Sequence, residues 1–253
     1  MDKTLIAQRF AKARHTYTQE ACVQQDIART MLQALLAYMP AGHLRKVIEI
    51  GCGTGSYSRL LLTALHPEGL LLNDLCPEME ECVADLLSPP AIRFLAGDAE
   101  SMDFSAEVPQ LITSCSTLQW FNHPETFFAR CCQALPPQGI LAFSTFGPEN
   151  LYEIRQLTGQ GLSYSSASSL KQKLETAGFN IQHQKEKLIR ILFPSPQDVL
   201  HHLKQTGVTG TQKHTWTRSR LQAFCDSYIQ HFAQTDGQVS LTFHPVFFIA
   251  TKI

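Results

Sequence analysis

The segment KVIEIGCGTGSYSRLLL, residues 46–62, places three glycines within five positions, between an apolar run and a helix-like pattern. The run 46–50 predicts a strand, and the residues after the glycines predict a helix. Gly51, Gly53 and Gly55 carry no side chain that would keep a ligand away from the backbone, and the helix N-terminus offers free N–H groups. The segment therefore predicts either a nucleotide-like binding site at a strand end or a tight turn without a ligand.

Two phosphate-binding motifs do not match the glycine segment. The dinucleotide motif G-x-G-x-x-G needs a third glycine where Ser56 stands, and the Gly-Lys-Ser/Thr of a P-loop is absent. Glu49 lies two residues before the first glycine, where its carboxylate would repel a pyrophosphate but would pair with an ammonium group or with local backbone donors. These residues favour a ligand that carries a positive charge.

Asp74 and Asp98 end the next two predicted strands, 69–75 and 92–98. In a parallel sheet the carboxyl ends of the strands meet at the crevice where ligands bind. Asp74 at that edge can accept both hydroxyls of a ribose, or it can be an acid that stabilises a helix N-terminus. With Glu49, these residues are three acids near the ends of three successive strands, which indicates that they recognise a ligand rather than being only solvated.

Strand and helix patterns alternate over residues 46–146, which predicts right-handed βαβ crossovers and a parallel sheet with helices on both faces. Two amphipathic helices are predicted before the sheet, within residues 1–38, and one crossover helix over residues 77–87.

The order of elements changes after residue 146. A helix is followed by a predicted strand over 181–193, a helical section over 197–234 and a long final strand over 239–253. This order predicts a hairpin-like addition at one edge of the sheet, with helices inserted before the last strand.

Composition narrows the class of protein. The 253 residues suit one α/β unit, and 21 Lys and Arg against 22 Asp and Glu give no strong field for nucleic acid or an anionic membrane. The N-terminus is polar and no window reaches the ~20 apolar residues of a membrane-spanning helix. Eight cysteines without a C-x-x-C pair fit neither a zinc site nor a disulfide framework. We expect a cytoplasmic protein with no metal, nucleic acid or membrane partner.

Five motifs carry a resemblance to a known family: EIGCGTG, NDLCPEM, GDAE, CSTLQWF and LPPQGILAFSTFG, in this order within residues 45–147. Together they resemble the successive motifs of class I S-adenosylmethionine-dependent methyltransferases. The resemblance implies S-adenosylmethionine as the cofactor. It also implies a doubly wound α/β fold, with a seven-stranded, mostly parallel sheet whose last strand is antiparallel.

The same resemblance, with the flanking patterns, divides the chain. We expect a single methyltransferase domain over 1–253, with an N-terminal helical cap over 1–42, a cofactor-binding core over 43–147 and a helical insertion over 195–237 on the substrate side.

The resemblance also implies roles for individual residues. The glycines approach the methionine and ribose parts of the cofactor, Asp74 holds the ribose hydroxyls, Met79 lies on the adenine face, and Asp98 accepts from the adenine amino group beside Ala99. Glu49 orients the cofactor's amino group or the glycine loop. The implied cofactor site comprises Tyr17, Gln24, Glu49, Gly51, Cys52, Gly53, Gly55, Asp74, Leu75, Met79, Gly97, Asp98, Ala99, Cys115 and Ser116.

The flanking segments carry a narrower resemblance. RFAKARHTYTQEACVQQDIA, FSTFGPENLYEIR, LKQTGVTG and LTFHPVFFIA resemble the biotin-pathway methyltransferases that esterify the free carboxyl of malonyl-acyl carrier protein. The resemblance implies malonyl-acyl carrier protein, or malonyl-coenzyme A, as the methyl acceptor. Another small-molecule methyltransferase and a non-catalytic cofactor-binding protein remain the alternatives.

No acid or base catalyst is expected, because a malonyl carboxylate is already ionised at neutral pH and needs mainly to be positioned. Tyr17 and Gln24, seven residues apart, share one face if their helix is continuous, and such a helix is either a lid over the site or a surface helix. Trp120 is either a site residue or part of the core, and His244 is either functional or buried and hydrogen-bonded. The positioning candidates are Tyr17, Gln119, Trp120, Arg155 and His244, with Arg155 as a distant cation.

An acidic carrier protein requires a locally basic docking surface. We expect it in the helical insertion, although each basic residue there is alternatively part of a solvated surface. The candidates are Lys204, Lys213, Arg218 and Arg220.

Overall fold

The computed structural model describes residues 1–39, 44–88, 90–208 and 217–253. Its helices are, in chain order, α1 (Lys3–Glu20), α2 (Cys22–Leu36), α3 (Ser56–Leu65), α4 (Met79–Cys82), α5 (Pro124–Ala134), α6 (Tyr152–Thr158), α7 (Ala167–Thr176), α8 (Pro196–Gln205) and α9 (Arg218–Phe232). Its strands are β1 (Lys46–Ile50), β2 (Gly69–Asp74), β3 (Ile92–Ala96), β4 (Leu111–Cys115), β5 (Ile140–Phe146), β6 (Phe179–Glu186), β7 (Ile189–Phe193), β8 (Val239–Phe243) and β9 (Pro245–Lys252). Among the described helices, none has the length and hydropathy needed to cross a bilayer.

Seven strands form one sheet in the order β3-β2-β1-β4-β5-β9-β6. Strands β1 to β5 pair in parallel, and β9 is antiparallel to both β5 and β6. This topology confirms the predicted fold class. The strand order reverses between β1 and β4, and such a switch point opens a crevice at the carboxyl ends of the two strands.

The central strands are buried on both faces, as their uninterrupted apolar sequences require. One core cluster joins Val47 and Leu72 of the sheet to α2, α3, α8 and α9. The other joins Ile48 and Leu71 to α5 and α7, where Phe127 is fully buried. Burying one such aromatic ring stabilises the fold by about 1.5–3 kcal/mol, so the two layers hold the strand ends rigidly.

The two long strands predicted near the C-terminus are each divided. The predicted strand over 181–193 becomes β6 and β7, and the final strand becomes β8 and β9. β7 and β8 pair only with each other, as a separate two-stranded sheet. The two divisions lie opposite each other, where the β6–β9 pairing ends and the β7–β8 pairing begins. Pro245 is at this point and has no N–H to donate to the ladder. Helices α8 and α9 connect β7 to β8, which confirms the helical insertion before the last strand.

A buried carboxylate fixes α6 against this second sheet. Glu153 accepts hydrogen bonds from the Thr242 backbone N at 2.9 Å and the Thr242 hydroxyl at 2.7 Å, and from the Ser240 hydroxyl at 3.3 Å. A charge buried to 2% exposure is tolerated because these donors replace its hydration. The arrangement sets the position of the other α6 side chains.

One predicted helix is much shorter in the structure. The helix predicted over 77–87 is only the four residues of α4 followed by a 3-10 turn, because Met79 and Val83 are its only strongly buried side chains. The two helices predicted within residues 1–38 are confirmed as α1 and α2, and the break between them is at Ala21, whose ψ of 45° leaves the helical region. Tyr17 therefore lies on α1 and Gln24 on α2.

Candidate active site

The glycine loop connects β1 to α3 at the switch point of the sheet. Gly51 has a φ of +69°, and a Cβ there would lie 2.2 Å from the Thr117 side-chain oxygen. Gly53 has a φ of +53°, and none of the described atoms lies within 4 Å of its Cβ position. The loop is thus pressed against the segment after β4 at Gly51, while at Gly53 its backbone faces open space.

That open space is a cavity of about 140 Å³ at the carboxyl ends of β1, β2, β3 and β4. A water molecule needs about 10–15 Å³ by the same measure, so the cavity is large enough for a small organic ligand. Its wall includes fourteen of the fifteen residues predicted for the cofactor. The exception is Gly55, whose Cβ position faces Arg59 and Val83 instead of the cavity.

Asp74 at the end of β2 has a fixed carboxylate. Its Oδ2 accepts from the Gly53 backbone N at 2.8 Å and its Oδ1 from the Cys76 backbone N at 2.9 Å. Burial raises the pKa of Asp74, and these two backbone donors act in the opposite direction. Each oxygen keeps a lone pair, so the carboxylate can accept two neighbouring hydroxyls such as those of a ribose.

Glu49 on β1 is 1% exposed, and its Oε2 has no hydrogen-bond partner among the described residues. Burial, reinforced by the Asp74 charge, raises the pKa of Glu49 to about 8. The Gln24 Oε1 and the Ser116 Oγ on the same cavity wall are also buried and have no partner in the described part of the chain. Unpartnered buried oxygens are costly, so this end of the cavity suits a ligand that donates hydrogen bonds, such as an ammonium group.

Glu49→Gln should change how stability depends on pH. The folded-state pKa of Glu49 is about 8 against an ordinary value of 4.5, so the folded state binds this proton more tightly than the unfolded state. The wild type should therefore lose stability relative to the glutamine variant as the pH rises from about 4.5 to about 8, and the difference should then level off. Thermal unfolding of both cofactor-free proteins across this range measures it. Parallel curves would show that Glu49 does not titrate there.

Asp98 after β3 meets a residue that the sequence analysis did not select. Lys3 Nζ donates to Asp98 Oδ1 at 2.7 Å and to Oδ2 at 2.6 Å, and it also contacts Glu100. Lys3 lies at the start of α1, so the pair fastens that helix over the Asp98 end of the cavity. An adenine amino group would share the Asp98 carboxylate with Lys3. The sequence gave no sign of this role, because lysine is a common residue on the polar face of an amphipathic helix.

Helix α1 covers the mouth of the cavity. Ile6, Phe10 and Tyr17 of α1 line it, and the Phe10 ring meets the Trp120 ring edge-on with centroids 5.5 Å apart. Although the helix ends before Gln24, that residue also lines the cavity from α2. Burial raises the pKa of Tyr17, with the Asp74 charge acting in the same direction, so its hydroxyl keeps its proton.

A second cavity adjoins the first one. It shares Phe10, Tyr17, Gln24, Ser116 and Trp120 with the first cavity, and extends towards β8. None of the described residues in its wall is charged. The residues of its wall that do not line the first cavity are Gln119, Phe146, Asn150, Leu162, Tyr164, Val208 and Phe243.

Of the other positioning candidates, one lines a cavity and two do not. Gln119 lines the second cavity, where its amide donates to the Ser116 backbone O at 2.5 Å. Arg155 and His244 are outside both walls. The His244 Nδ1 accepts from the Glu149 backbone N at 3.2 Å and its Nε2 lies 3.1 Å from a Glu186 oxygen. These bonds hold the bend between β8 and β9.

Comparisons with known proteins agree with this geometry. A family model described as a methyltransferase domain matches residues 21–184. The chain is 55% identical to the malonyl-acyl-carrier protein O-methyltransferase of Bacteroides helcogenes, over 99% of this chain and 98% of that protein. It is 52% identical to the protein of the same name from Bacteroides thetaiotaomicron, over 100% and 99% of the two chains. The crystal structure of a candidate methyltransferase from Bacillus halodurans shares the fold, with a TM-score of 0.67 at 16% identity, over 88% of this chain and 98% of that one.

Proposed function

The chain belongs to the methyltransferase family, in the group whose members are named malonyl-acyl-carrier protein O-methyltransferases, and we propose that it methylates the free carboxylate of malonyl-acyl carrier protein. Its cofactor is S-adenosylmethionine. The product is the malonyl methyl ester with which pimeloyl and biotin synthesis begin. Malonyl-coenzyme A is the alternative acceptor with the same reacting group.

The first cavity suits this cofactor in three places. Asp74 would accept from the ribose hydroxyls, and Met79 and Ala99 would enclose the adenine. The unpartnered Glu49 oxygen would receive the ammonium of the methionine part. When bound, S-adenosylmethionine supplies a methyl group on a cationic sulfur. The methyl group passes to a carboxylate oxygen as the C–O bond forms and the C–S bond breaks, and the products are a neutral ester and a neutral thioether.

The second cavity is the observation that carries the proposal. It opens from the methionine end of the first cavity, and its wall has hydrogen-bond donors but no charge among the described residues. A carboxylate that attacks a methyl group needs its charge on the attacking oxygen, and a direct salt bridge would weaken it as a nucleophile. The cavity is small, about 20 Å³, so it would receive the carboxylate group rather than the whole acceptor. Its neutral donors and mostly apolar wall would hold that group and remove its water, which leaves proximity as the main source of rate.

The proposed organisation of the chain follows from the same cavities. The cap over 1–42 would cover the cofactor, the core over 43–147 would bind it, and the insertion over 195–237 would border the acceptor. Contacts at the end of α8 support the last assignment. The Thr16 hydroxyl of α1 donates to the Gln205 backbone O at 2.9 Å, and Val208 lines the second cavity.

A methyl-transfer assay tests the proposal. We expect malonyl-acyl carrier protein to be methylated, with malonyl-coenzyme A, acetyl-acyl carrier protein and free short dicarboxylates as comparison acceptors. Transfer to none of the malonyl thioesters, by protein that binds S-adenosylmethionine in calorimetry, would indicate a methyltransferase with another acceptor. Failure to bind the cofactor would indicate the non-catalytic alternative.

The same assay tests where the carrier protein docks. Lys204, Arg218 and Arg220 are exposed and make no ion pair with any described residue, and Lys213 lies outside the described residues. Reversing the first three to Glu should raise the KM for malonyl-acyl carrier protein far more than that for malonyl-coenzyme A, because only the former docks through an acidic surface. The matched control reverses three exposed cations on β6 and β7 and the turn between them, namely Lys185, Lys187 and Arg190. Equal losses from the two triple variants would remove the insertion as the docking surface.

A further inference from the structure

The second cavity contains a tyrosine whose hydroxyl hydrogen is unused. Tyr164 lies in the segment between α6 and α7, and its Oη accepts a hydrogen bond from Asn150 Nδ2 at 2.9 Å. The Asn150 Oδ1 accepts from the His244 backbone N at 3.2 Å, which settles the orientation of the amide. Because Asn150 is the donor to Tyr164, the Tyr164 hydroxyl has its own hydrogen left, and it donates to no described residue.

The tyrosine keeps that hydrogen at any working pH. Burial raises the pKa of Tyr164 to about 12, although Asn150 and Arg155 act in the opposite direction. The hydroxyl is therefore a neutral donor in a wall that is otherwise mainly apolar. A donor of this kind binds an anionic oxygen well because the bond is charge-assisted.

Arg155 lies behind the tyrosine and has no anionic partner within the described residues. Its guanidinium carbon is 5.8 Å from the centroid of the Tyr164 ring, and one of its terminal nitrogens donates to the Pro148 backbone O. Its Nε is buried and has no partner in the described part of the chain. An uncompensated cation beside a neutral cavity attracts an anion into that cavity without contacting it.

We propose that Tyr164 donates its hydroxyl hydrogen to the carboxylate of the acceptor, with Asn150 as the residue that orients the hydroxyl and Arg155 as a cation that acts across the ring. This inference rests on the proposed function, and it names the residue that recognises the reacting group. The bond to one carboxylate oxygen leaves the other oxygen free to attack. It also favours product release, since the methyl ester carries no charge and attracts neither the hydroxyl nor the cation as strongly.

Tyr164→Phe tests the proposal, with Tyr152→Phe as the matched control. Tyr152 is an exposed tyrosine on α6 that lines neither cavity. Tyr164→Phe should raise the KM for malonyl-acyl carrier protein by about 10- to 100-fold, the factor expected for one hydrogen bond to a charged group. The affinities for S-adenosylmethionine and for acetyl-acyl carrier protein, which has no carboxylate, should stay unchanged. The control should match the wild type throughout.

The outcomes separate this inference from the proposed function. A wild type that methylates no malonyl thioester overturns both. An active wild type with an unchanged KM in Tyr164→Phe overturns the role of Tyr164 alone, as does an equal loss of affinity for the acetyl and malonyl carrier proteins, which would indicate altered packing.

Arg155 needs a separate experiment, because it is proposed to act across the Tyr164 ring without contacting the acceptor. Arg155→Gln should raise the KM for malonyl-acyl carrier protein, and Arg155→Lys should restore most of the wild-type value because it keeps the positive charge. The binding of S-adenosylmethionine, measured by calorimetry, shows whether each variant is folded. If the lysine variant is no better than the glutamine variant while both bind the cofactor, the charge of Arg155 has no part in acceptor binding.

Discussion

Gly53→Ala should weaken S-adenosylmethionine binding by about 100-fold, towards the upper end of what one added methyl group costs in a closely packed site. None of the described atoms lies within 4 Å of the Gly53 Cβ position, so the added methyl group would occupy part of the first cavity, where the cofactor is proposed to bind. It would lie beside the backbone N that donates to Asp74. The expected result is a folded protein that no longer accommodates the ribose and methionine parts of its cofactor. Calorimetric titration measures the affinity.

The control for this variant separates backbone strain from ligand exclusion. Gly237 has a φ of +82° in the turn before β8, and its Cβ position is likewise free of described atoms within 4 Å. Gly237→Ala and Gly53→Ala should each lose about 1–2 kcal/mol of folding stability, because both place alanine in the left-handed region. Only Gly53→Ala should lose cofactor affinity. Equal affinities in the two variants would show that the cofactor does not approach the Gly53 backbone.

The core of the fold and the residues that meet at the first cavity could be predicted from the sequence because local patterns specify them. The apolar runs that become β1, β2, β4 and β5 are fully buried parallel strands, and their ends must meet at one edge. Gly53 lies three residues after β1, Asp74 is the last residue of β2, and Asp98 lies two residues after the neighbouring edge strand β3. Their positions along the chain therefore already place them on one cavity wall.

The second cavity, the proposed acceptor site, was predicted less well because distant segments build it. Gln119 and Trp120 were selected from the chain after β4, whereas Asn150, Tyr164 and Phe243 were not. Asn150 and Phe243 lie in two of the flanking segments quoted above, but no pattern there singles them out, and Tyr164 lies outside those segments. Only the packing of α6 against β8 brings the three together. The hydrogen bond from Asn150 to Tyr164 spans 14 residues, and the one from the His244 backbone to Asn150 spans 94. Nothing in the local sequence signals either of them.

The division of the last strands shows how tertiary context overrides local propensity. The sequence 239–253 is suited to a strand almost throughout, but Pro245 cannot complete a continuous ladder. The chain bends there, and His244 fills the bend with bonds to the Glu149 backbone and to Glu186. His244 was a positioning candidate because of its place in LTFHPVFFIA, and a buried, hydrogen-bonded histidine was the alternative. Its ring nitrogens hold the bend between the two sheets, while its backbone N orients Asn150 beside the acceptor cavity.

Asp74→Ala should weaken S-adenosylmethionine binding by roughly 1–3 kcal/mol, the cost of losing charge-assisted hydrogen bonds to the ribose. The carboxylate has a second effect on the site, because it accepts from the backbone N of Gly53 and of Cys76. Removing it leaves both donors without this acceptor and loosens the glycine loop that the cofactor must approach. The loss should therefore lie towards the upper end of that range. Calorimetric titration against the wild type measures it.

Asp74→Asn serves as the matched comparison, because asparagine keeps the shape of aspartate but only one of its two acceptor oxygens. It can satisfy one of the two backbone donors, and its NH₂ group would face the other. If ribose recognition dominates, the two variants should lose similar affinity, since both lack the charge. If the order of the glycine loop dominates, the asparagine variant should retain more affinity, and thermal unfolding of the cofactor-free proteins should rank wild type, Asn and Ala in that order. Unchanged affinity in both variants would place the ribose elsewhere in the cavity.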